Sequence, residues 1–314
     1  MKPEILVTRP FYAPTMVQLE REFIVHPLWR APEPDALLRE LSDRLRVVVT
    51  TGLVGFSPAQ MDALPRLELV ACYGNPHSGL VNLADARARG VTVTNTPDSI
   101  TAIVADLALG IVIATMRRIV EGDRFVRAGK WLQGPLAVGR DLGGKVCGIV
   151  GLGAIGREIA RRVQVCGMAV CYHGPHRKDD VPYPYYPDLE SMARAIDCLV
   201  VMCPLTPATR DLVSKRVIDA LRPGSFLVNI ARGPVVNQEA LVAALREKRI
   251  AGAGLDVFWD EPNVPAELMV MDNVVLSPHL GTATLEIREE RGQKLLANLR
   301  AYFSGQPVPT PVVI

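Results

Sequence analysis

Short β-branched and aliphatic runs alternate along the chain with stretches of helical periodicity, a rhythm that predicts parallel sheets wrapped by helices. In the first part, candidate strands fall at 5–9 (ILVTR), 46–50 (RVVVT), 67–72 (LELVAC) and 91–95 (VTVTN), with helical segments such as PDALLRELS and LADARARG between them. From Ala102 to Arg127 the pattern predicts one long helix, apolar nearly all round at its start and charged toward its end. A helix of that kind is buried early and emerges late. A second series begins at Lys145, with strands at 146–150, 168–173, 198–203, 225–230, 251–258 and 273–278 and a last helix from Leu285 to Phe303. Six strands in this spacing suit a doubly wound sheet.

The expected fold class is α/β, with two Rossmann-like or flavodoxin-like domains built on parallel sheets. One domain (99–285) is inserted between two sequence-distant parts of the other (1–98 and 286–314). A length of 314 residues accommodates two domains. A chain 49% hydrophobic and 22% charged is ordinary for a globular protein, and disorder is excluded. With a net charge of +2 and scattered basic residues, the sequence offers no nucleic-acid surface. No apolar run approaches the roughly 20 residues of a membrane span. The start, MKPEILVTRPFYAP, lacks the long apolar segment of a secretory signal, so a cytoplasmic location is expected. Six cysteines stand in apolar stretches without a C-x-x-C pair; they are expected to be reduced, buried small hydrophobes rather than disulfides or metal ligands.

The strand at 146–150 runs into Gly151-Leu152-Gly153-Ala154-Ile155-Gly156 and then a helical pattern. The first glycine permits a tight turn, the second lets the backbone approach a pyrophosphate, and the third allows helix and strand to pack closely. A helix N-terminus adds N–H groups and partial positive charge for phosphates. Between a strand and a helix, this motif predicts a dinucleotide site. The end of the next strand should meet the adenosine ribose. There the sequence reads His173-Gly174-Pro175-His176-Arg177-Lys178, with no carboxylate before Asp179. Two fixed cations in place of the acid that would select NAD predict NADP(H), with NAD(H) also possible; an ordinary solvated basic loop is the competing reading.

Three further segments fall at strand C-terminal ends, where open α/β sheets bind ligands: NIARG with Arg232, LDVFWDEP with Asp256 and Glu261, and SPHLGTAT with His279. Singly, each has a bland explanation as a surface cation, a helix-entry acid or a capped loop residue. Together, beyond a dinucleotide turn, they predict a reaction centre.

These segments, with NTP (95–97), VAD (104–106) and PLTPAT (204–209), make the chain resemble the D-isomer-specific 2-hydroxyacid dehydrogenases over nearly its whole length. Within that family it looks most like the NADPH-preferring glyoxylate/hydroxypyruvate and hydroxyphenylpyruvate reductases. The resemblance implies hydride transfer between a nicotinamide dinucleotide and a small 2-keto or 2-hydroxy acid. It implies that Arg232 pairs with the substrate carboxylate and helps polarise the keto oxygen. His279 is then the acid that protonates that oxygen, and Glu261 bonds the other imidazole nitrogen and favours the protonated ring. Asp256 would lie near the nicotinamide carboxamide. Cys203, Pro204, Thr209, Ile230, Ala231 and Gly281 would line the cofactor, with Gly174, His176, Arg177 and Lys178 at its adenosine end. Glu261 argues against the related formate dehydrogenases, which carry a glutamine there, and the end at Ile314 against phosphoglycerate dehydrogenases with a regulatory domain.

One stretch departs from the family pattern. After LELVAC the chain reads Tyr73-Gly74-Asn75-Pro76-His77-Ser78-Gly79-Leu80-Val81-Asn82, with His77 replacing the usual glycine and Asn82 an aspartate. Asn75, Pro76 and His77 are the substrate-binding candidates here, either as a reshaped loop or as one that keeps its fold by other turn chemistry. The rival to an enzyme is a dinucleotide-sensing corepressor-like binding protein on the same fold; the short tails argue against it. The apolar helix from Ala102 predicts a homodimer, because one domain is not expected to bury so much of it unaided.

Overall fold

The computed structural model describes residues 2–52, 54–74, 76, 81–97 and 100–312. The chain divides into two compact units, one formed by Met1–Ser99 with Thr284–Ile314, the other by Ile100–Ala283.

Among the described residues, the first unit contains strands β1 (Glu4–Val7), β2 (Ile24–Pro27), β3 (Val47–Thr51), β4 (Leu69–Tyr73) and β5 (Thr92–Thr94). Its helices are α1 (Ala13–Glu22), α2 (Pro34–Leu41), α3 (Pro58–Asp62) and α4 (Leu83–Ala88). The strands pair in parallel in the order β2-β1-β3-β4-β5, the flavodoxin-like arrangement. β3 and β4 are buried along their whole length, which is why VVVTT and LVACY read as continuous rather than alternating apolar runs. Successive side chains face opposite layers. Leu6, Val48 and Val70 point into one core, and Val7, Val49 and Leu69 into another, which is completed by Leu295, Leu296 and Leu299. Those leucines belong to the last helix, Leu285–Phe303, which returns to this unit with the bounds its periodicity predicts. Its approach to α1 is close enough that a Cβ on Gly292 would strike the Thr15 side chain.

β2 was not expected from the sequence. It is an edge strand, only partly buried and ending on Pro27, so it shows neither alternation nor a β-branched run.

The second unit opens with helices α5 (Ile100–Met116) and α6 (Ile119–Arg127) and continues with β6 (Val146–Val150), α7 (Ala154–Val165), β7 (Ala169–His173), α8 (Leu189–Ala195) and β8 (Cys198–Val201). Helix α9 (Lys215–Ala220), β9 (Phe226–Asn229), α10 (Gln238–Arg246), β10 (Gly252–Leu255), α11 (Ala266–Met269) and β11 (Val274–Leu276) complete it, and α12 is the Leu285–Phe303 helix. The strands, again parallel, run β11-β10-β9-β8-β6-β7. From β6 the chain moves outward to β7 and then back across to β8. The strand order therefore reverses between β6 and β8, and the crevice outside their carboxyl ends is where such sheets bind ligands.

The single helix expected over Ala102–Arg127 is two helices bent by 60°. No glycine or proline marks the break, so periodicity carried straight through it. The cause is tertiary: the Met116 carbonyl accepts from the Arg140 N–H (2.8 Å), as the returning 139–140 segment crosses the end of α5. Arg118 takes a left-handed conformation (φ 55°), at a cost of about 1–2 kcal/mol for a residue with a Cβ.

One face of α5 is covered by its own unit, while Ile103, Leu107, Leu109 and Ile113 are only partly buried. Val104, Ala105, Ala108, Ile111, Val112, Thr115 and Met116 are buried within this unit, in the core layer that includes β6, β8 and β9. A Cβ on Gly254 of β10 would lie 2.6 Å from Thr115 Oγ1 and collide with Ile111, so the bare Gly254 is what lets the helix lie close on the sheet. Further along the chain, Ile119, Val126, Trp131, Leu132 and Val138 are exposed. Among the described residues no single helix is long and apolar enough to cross a membrane.

All six cysteines are free, and all but Cys166 are buried. Burial pushes the thiols of Cys72 and Cys171 up to about 12 and that of Cys203 up to about 11, which leaves almost no thiolate near neutral pH. A thiol reagent at pH 8 is therefore expected to label one site quickly in the native protein, Cys166, and the other five only after denaturation. Rapid labelling of two or more would contradict this packing.

Candidate active site

The Gly151–Gly156 turn leaves β6 at the reversal of strand order. Gly151 has φ +96°, and a Cβ there would lie 2.5 Å from the carbonyl oxygen of Met202 in the segment following β8. Gly156 is pressed against the Gly151 carbonyl and has no room for a side chain. Gly153 meets nothing within 4 Å, so packing does not demand a glycine there; its bare backbone opens onto free space. Gly153 is also the N-cap of α7, offers no side-chain acceptor, and the first turn, with Ala154 and Ile155, carries no acid. The N–H groups of that turn are thus left for an anion. A pyrophosphate fits these residues.

The basic loop follows β7. His176 and Arg177 are exposed, and Lys178 is half-buried. The acids just beyond the loop are matched: Asp180 is bound by Arg157 (2.8 Å), which holds its carboxyl below the usual range, and Asp179 lies 3.7 Å from Arg177. Gly174, like Gly153, would present a Cβ to open space.

Cys203, Ile230 and Ala231 are buried at the ends of β8 and β9, and Leu152 is buried in the glycine turn. Pro204 is exposed. The Thr209 hydroxyl donates to the Pro204 carbonyl (2.6 Å) and accepts from Thr206 N (2.7 Å), so its place in PLTPAT is to close that turn.

Beyond β9, β10 and β11, which are adjacent and in register, stand the three segments singled out by motif. His279 Nδ1 lies 2.6 Å from Glu261 Oε2. The other carboxylate oxygen accepts from the Phe258 N–H (3.0 Å), so the acid is fixed by its own loop. His279 has a left-handed backbone (φ 54°), held by its N–H donating to Asp256 O (2.9 Å). At side-chain exposures of 38% and 33% the pair is too open to matter much for stability. Its effect is to orient the ring and leave Nε2 as the free nitrogen.

Asp256, 1% exposed, does more locally than its motif indicates. One oxygen accepts from Ser277 Oγ (2.5 Å) and Leu280 N (2.7 Å), the other from Gly281 N (3.0 Å). Its carboxylate is thereby turned into the 277–281 loop and holds the segment that presents His279.

Arg232 is exposed, with Nη1 donating to the Ala231 carbonyl (2.6 Å). Its loop is tied by Asn229, fully buried, whose side chain accepts from Ala231 N (3.0 Å) and donates to Arg232 O (3.0 Å). A Cβ on Gly233 would lie 2.5 Å from Trp259 N and overlap the Phe258 carbonyl. The arginine loop and the Glu261 loop are thus packed backbone to backbone. Asn229, Gly233 and Ser277 lie inside the quoted NIARG and SPHLGTAT segments but were given no role there, because what they do depends on backbone partners the motif does not show.

In the first unit, Asn75 and His77 lie outside the described residues. Pro76 is buried. Asn82, where an aspartate was expected, is the N-cap of α4, accepting from Asp85 N (3.0 Å). Thr96 of the NTP motif accepts from Gly74 N through its hydroxyl (2.8 Å), at the end of β4.

Residues 109–281 match the model of the D-isomer specific 2-hydroxyacid dehydrogenase NAD binding domain. The chain is 43% identical to glyoxylate/hydroxypyruvate reductase A HPR2 of Arabidopsis thaliana and 42% identical to hydroxyphenylpyruvate reductase of Plectranthus scutellarioides, in each case over 94% of both chains. The solved NADPH-dependent glyoxylate/hydroxypyruvate reductase of Sinorhizobium meliloti, in complex with NADP and malonate, superimposes with a TM-score of 0.82. It is 36% identical, over 100% of this chain and 97% of that one. The corepressor-like alternative finds no support among these relatives.

Proposed function

Because the chain belongs to the D-isomer specific 2-hydroxyacid dehydrogenases, we propose that it reduces a small 2-keto acid of the glyoxylate/hydroxypyruvate class to the D-2-hydroxy acid with NADPH, NADH serving less well. The observation that carries this reading is the Glu261–His279 pair set beside the Arg232 loop at the ends of neighbouring strands.

Bound at the glycine turn, the dinucleotide would supply the hydride. The chain's own groups do the rest. Arg232 offers a planar fork of donors that fixes a carboxylate in one orientation and draws electron density from the neighbouring carbonyl. As the keto oxygen gains negative charge, His279 gives it the proton on Nε2, and the Glu261 carboxylate at Nδ1 stabilises the imidazolium before that transfer. Oxidation of the hydroxy acid runs the same path with neutral His279 as base. Asn229 and Asp256 hold the two loops in place without touching substrate.

Arg177 and Lys178 support the choice of NADPH. Replacing both with alanine is expected to raise the NADPH KM about tenfold or more, the size of one or two exposed charge-assisted contacts, and the NADH KM much less. Equal effects on both cofactors would remove the basis for NADPH preference. The reaction itself is tested by NADPH absorbance loss with glyoxylate, hydroxypyruvate and phenylpyruvates. Tight dinucleotide binding with no turnover of any of them would overturn the enzyme reading.

The homodimer rests on the apolar surface at Ile119, Val126, Trp131, Leu132 and Val138, where α6 has no buried residue. Five exposed large apolar side chains within one short stretch of chain point to an association surface, and a second copy is the partner proposed for it. Sedimentation at micromolar concentration should give a dimer, and Leu132→Glu with Val138→Glu a monomer. A monomeric unmodified protein would refute this. The free thiols accord with a reducing, cytoplasmic location, which fractionation would check.

A further inference from the structure

The basic loop after β7 is clamped at both ends by tyrosines that no cofactor motif contains. The Tyr172 hydroxyl accepts from the Lys178 N–H (2.6 Å), and the Tyr185 hydroxyl donates to the Gly174 carbonyl (3.0 Å). Tyr172 is 1% exposed and sits on β7; Tyr185 is half-buried and comes from the 184–186 segment. That segment lies along the free edge of β7, with Tyr172 N donating to Pro184 O and Tyr186 N to Tyr172 O. The two rings pack with centroids 5.3 Å apart. His173 Nδ1 donates to Tyr186 O (2.9 Å), while the His173 carbonyl accepts from Gly151 N (2.9 Å), so the same strand end also steadies the glycine turn.

A five-residue loop with Gly174 at its start and two long cationic side chains at its end has many conformations open to it. Pinning Gly174 O and Lys178 N removes most of that freedom before any ligand arrives, and preorganisation of this kind appears as affinity for the group the loop receives. Resting on the NADPH reading above, we propose that Tyr172 and Tyr185 are specificity-determining positioning residues. Their hydroxyls fix the loop bearing Arg177 and Lys178 and thereby set the preference for a 2′-phosphorylated adenosine.

The test uses the whole protein and two probes that lack nicotinamide, 2′,5′-ADP and 5′-AMP, titrated calorimetrically against the wild type, Tyr172→Phe and Tyr185→Phe. Each variant keeps its ring and its packing. Tyr172→Phe is expected to weaken 2′,5′-ADP about tenfold, the consequence of a backbone donor left without its acceptor, and 5′-AMP less than about twofold. For Tyr185→Phe, whose carbonyl partner water can reach, the loss should be roughly threefold, again confined to 2′,5′-ADP. kcat at saturating NADPH should stay at the wild-type value in both. Equal losses for the two probes, or unchanged binding of both, would overturn the proposal and leave the tyrosines as packing residues. Should Tyr172→Phe fail to fold, Tyr185→Phe decides alone. A wild type without preference for 2′,5′-ADP would defeat the NADPH reading itself, and this inference with it. A preference that survives in both variants defeats only the clamp.

Discussion

His279→Ala is expected to lower kcat by about 10²–10⁴-fold, the range for losing a positioned general acid, while the dinucleotide still binds. The separation follows from where each function is anchored. The glycine turn leaves β6, whereas His279 stands beyond β11 in a loop held through backbone groups by the Asp256 carboxylate. Removing the imidazole leaves those backbone bonds intact. Glu261→Gln should fall between wild type and His279→Ala, since an amide keeps a hydrogen bond at Nδ1 but gives up the charge that stabilises imidazolium. Stopped-flow hydride transfer with cofactor titration separates these effects. A drop of only a few-fold for His279→Ala would show that another group delivers the proton.

Arg232→Ala should reduce kcat/KM for glyoxylate by about 10²–10³-fold, the scale of a two-pronged contact between opposite charges. Arg232→Lys should recover little, because an ammonium lacks the planar fork. The informative control is an ester of the same keto acid, which has no carboxylate. If Arg232 acts mainly on that group, the variant should lose far less on the ester than on the acid, the remaining loss reporting its pull on the carbonyl. An equal loss on acid and ester would move the arginine's action to the carbonyl alone.

Much of this centre was legible before folding was considered, for definable reasons. Glycines at 151 and 156 are forced by a left-handed turn and a close approach, and such requirements write themselves as residue types, whereas Gly153, which packing does not demand, was legible from the motif spacing alone. Strands buried on both faces, like β3 and β4, announce themselves as apolar runs, and α12 shows its period throughout. What stayed hidden depended on distant partners. The bend at Arg118 is set by a segment twenty residues further along crossing the helix end, which no local pattern encodes. β2 owes its extended state to pairing with β1 rather than to its own composition. The hold of Asp256 on the 277–281 loop was not legible, because its partners, the Ser277 hydroxyl and two backbone N–H groups, lie more than 20 residues away. The capping by Asn82 shows the converse: a residue that departs from the family pattern still does, at the start of α4, a job the expected aspartate could do.

The missing side chain at Gly233 also constrains how this protein can diverge. With Arg232 on one side of the contact and Phe258 on the other, the guanidinium and the carboxylate behind the imidazole cannot drift apart independently. Relatives named for substrates as different as glyoxylate and hydroxyphenylpyruvate therefore need not remake the chemistry to accept a new acid. The reacting end can be inherited whole, and selection for a longer or bulkier tail is free to act on the walls around it.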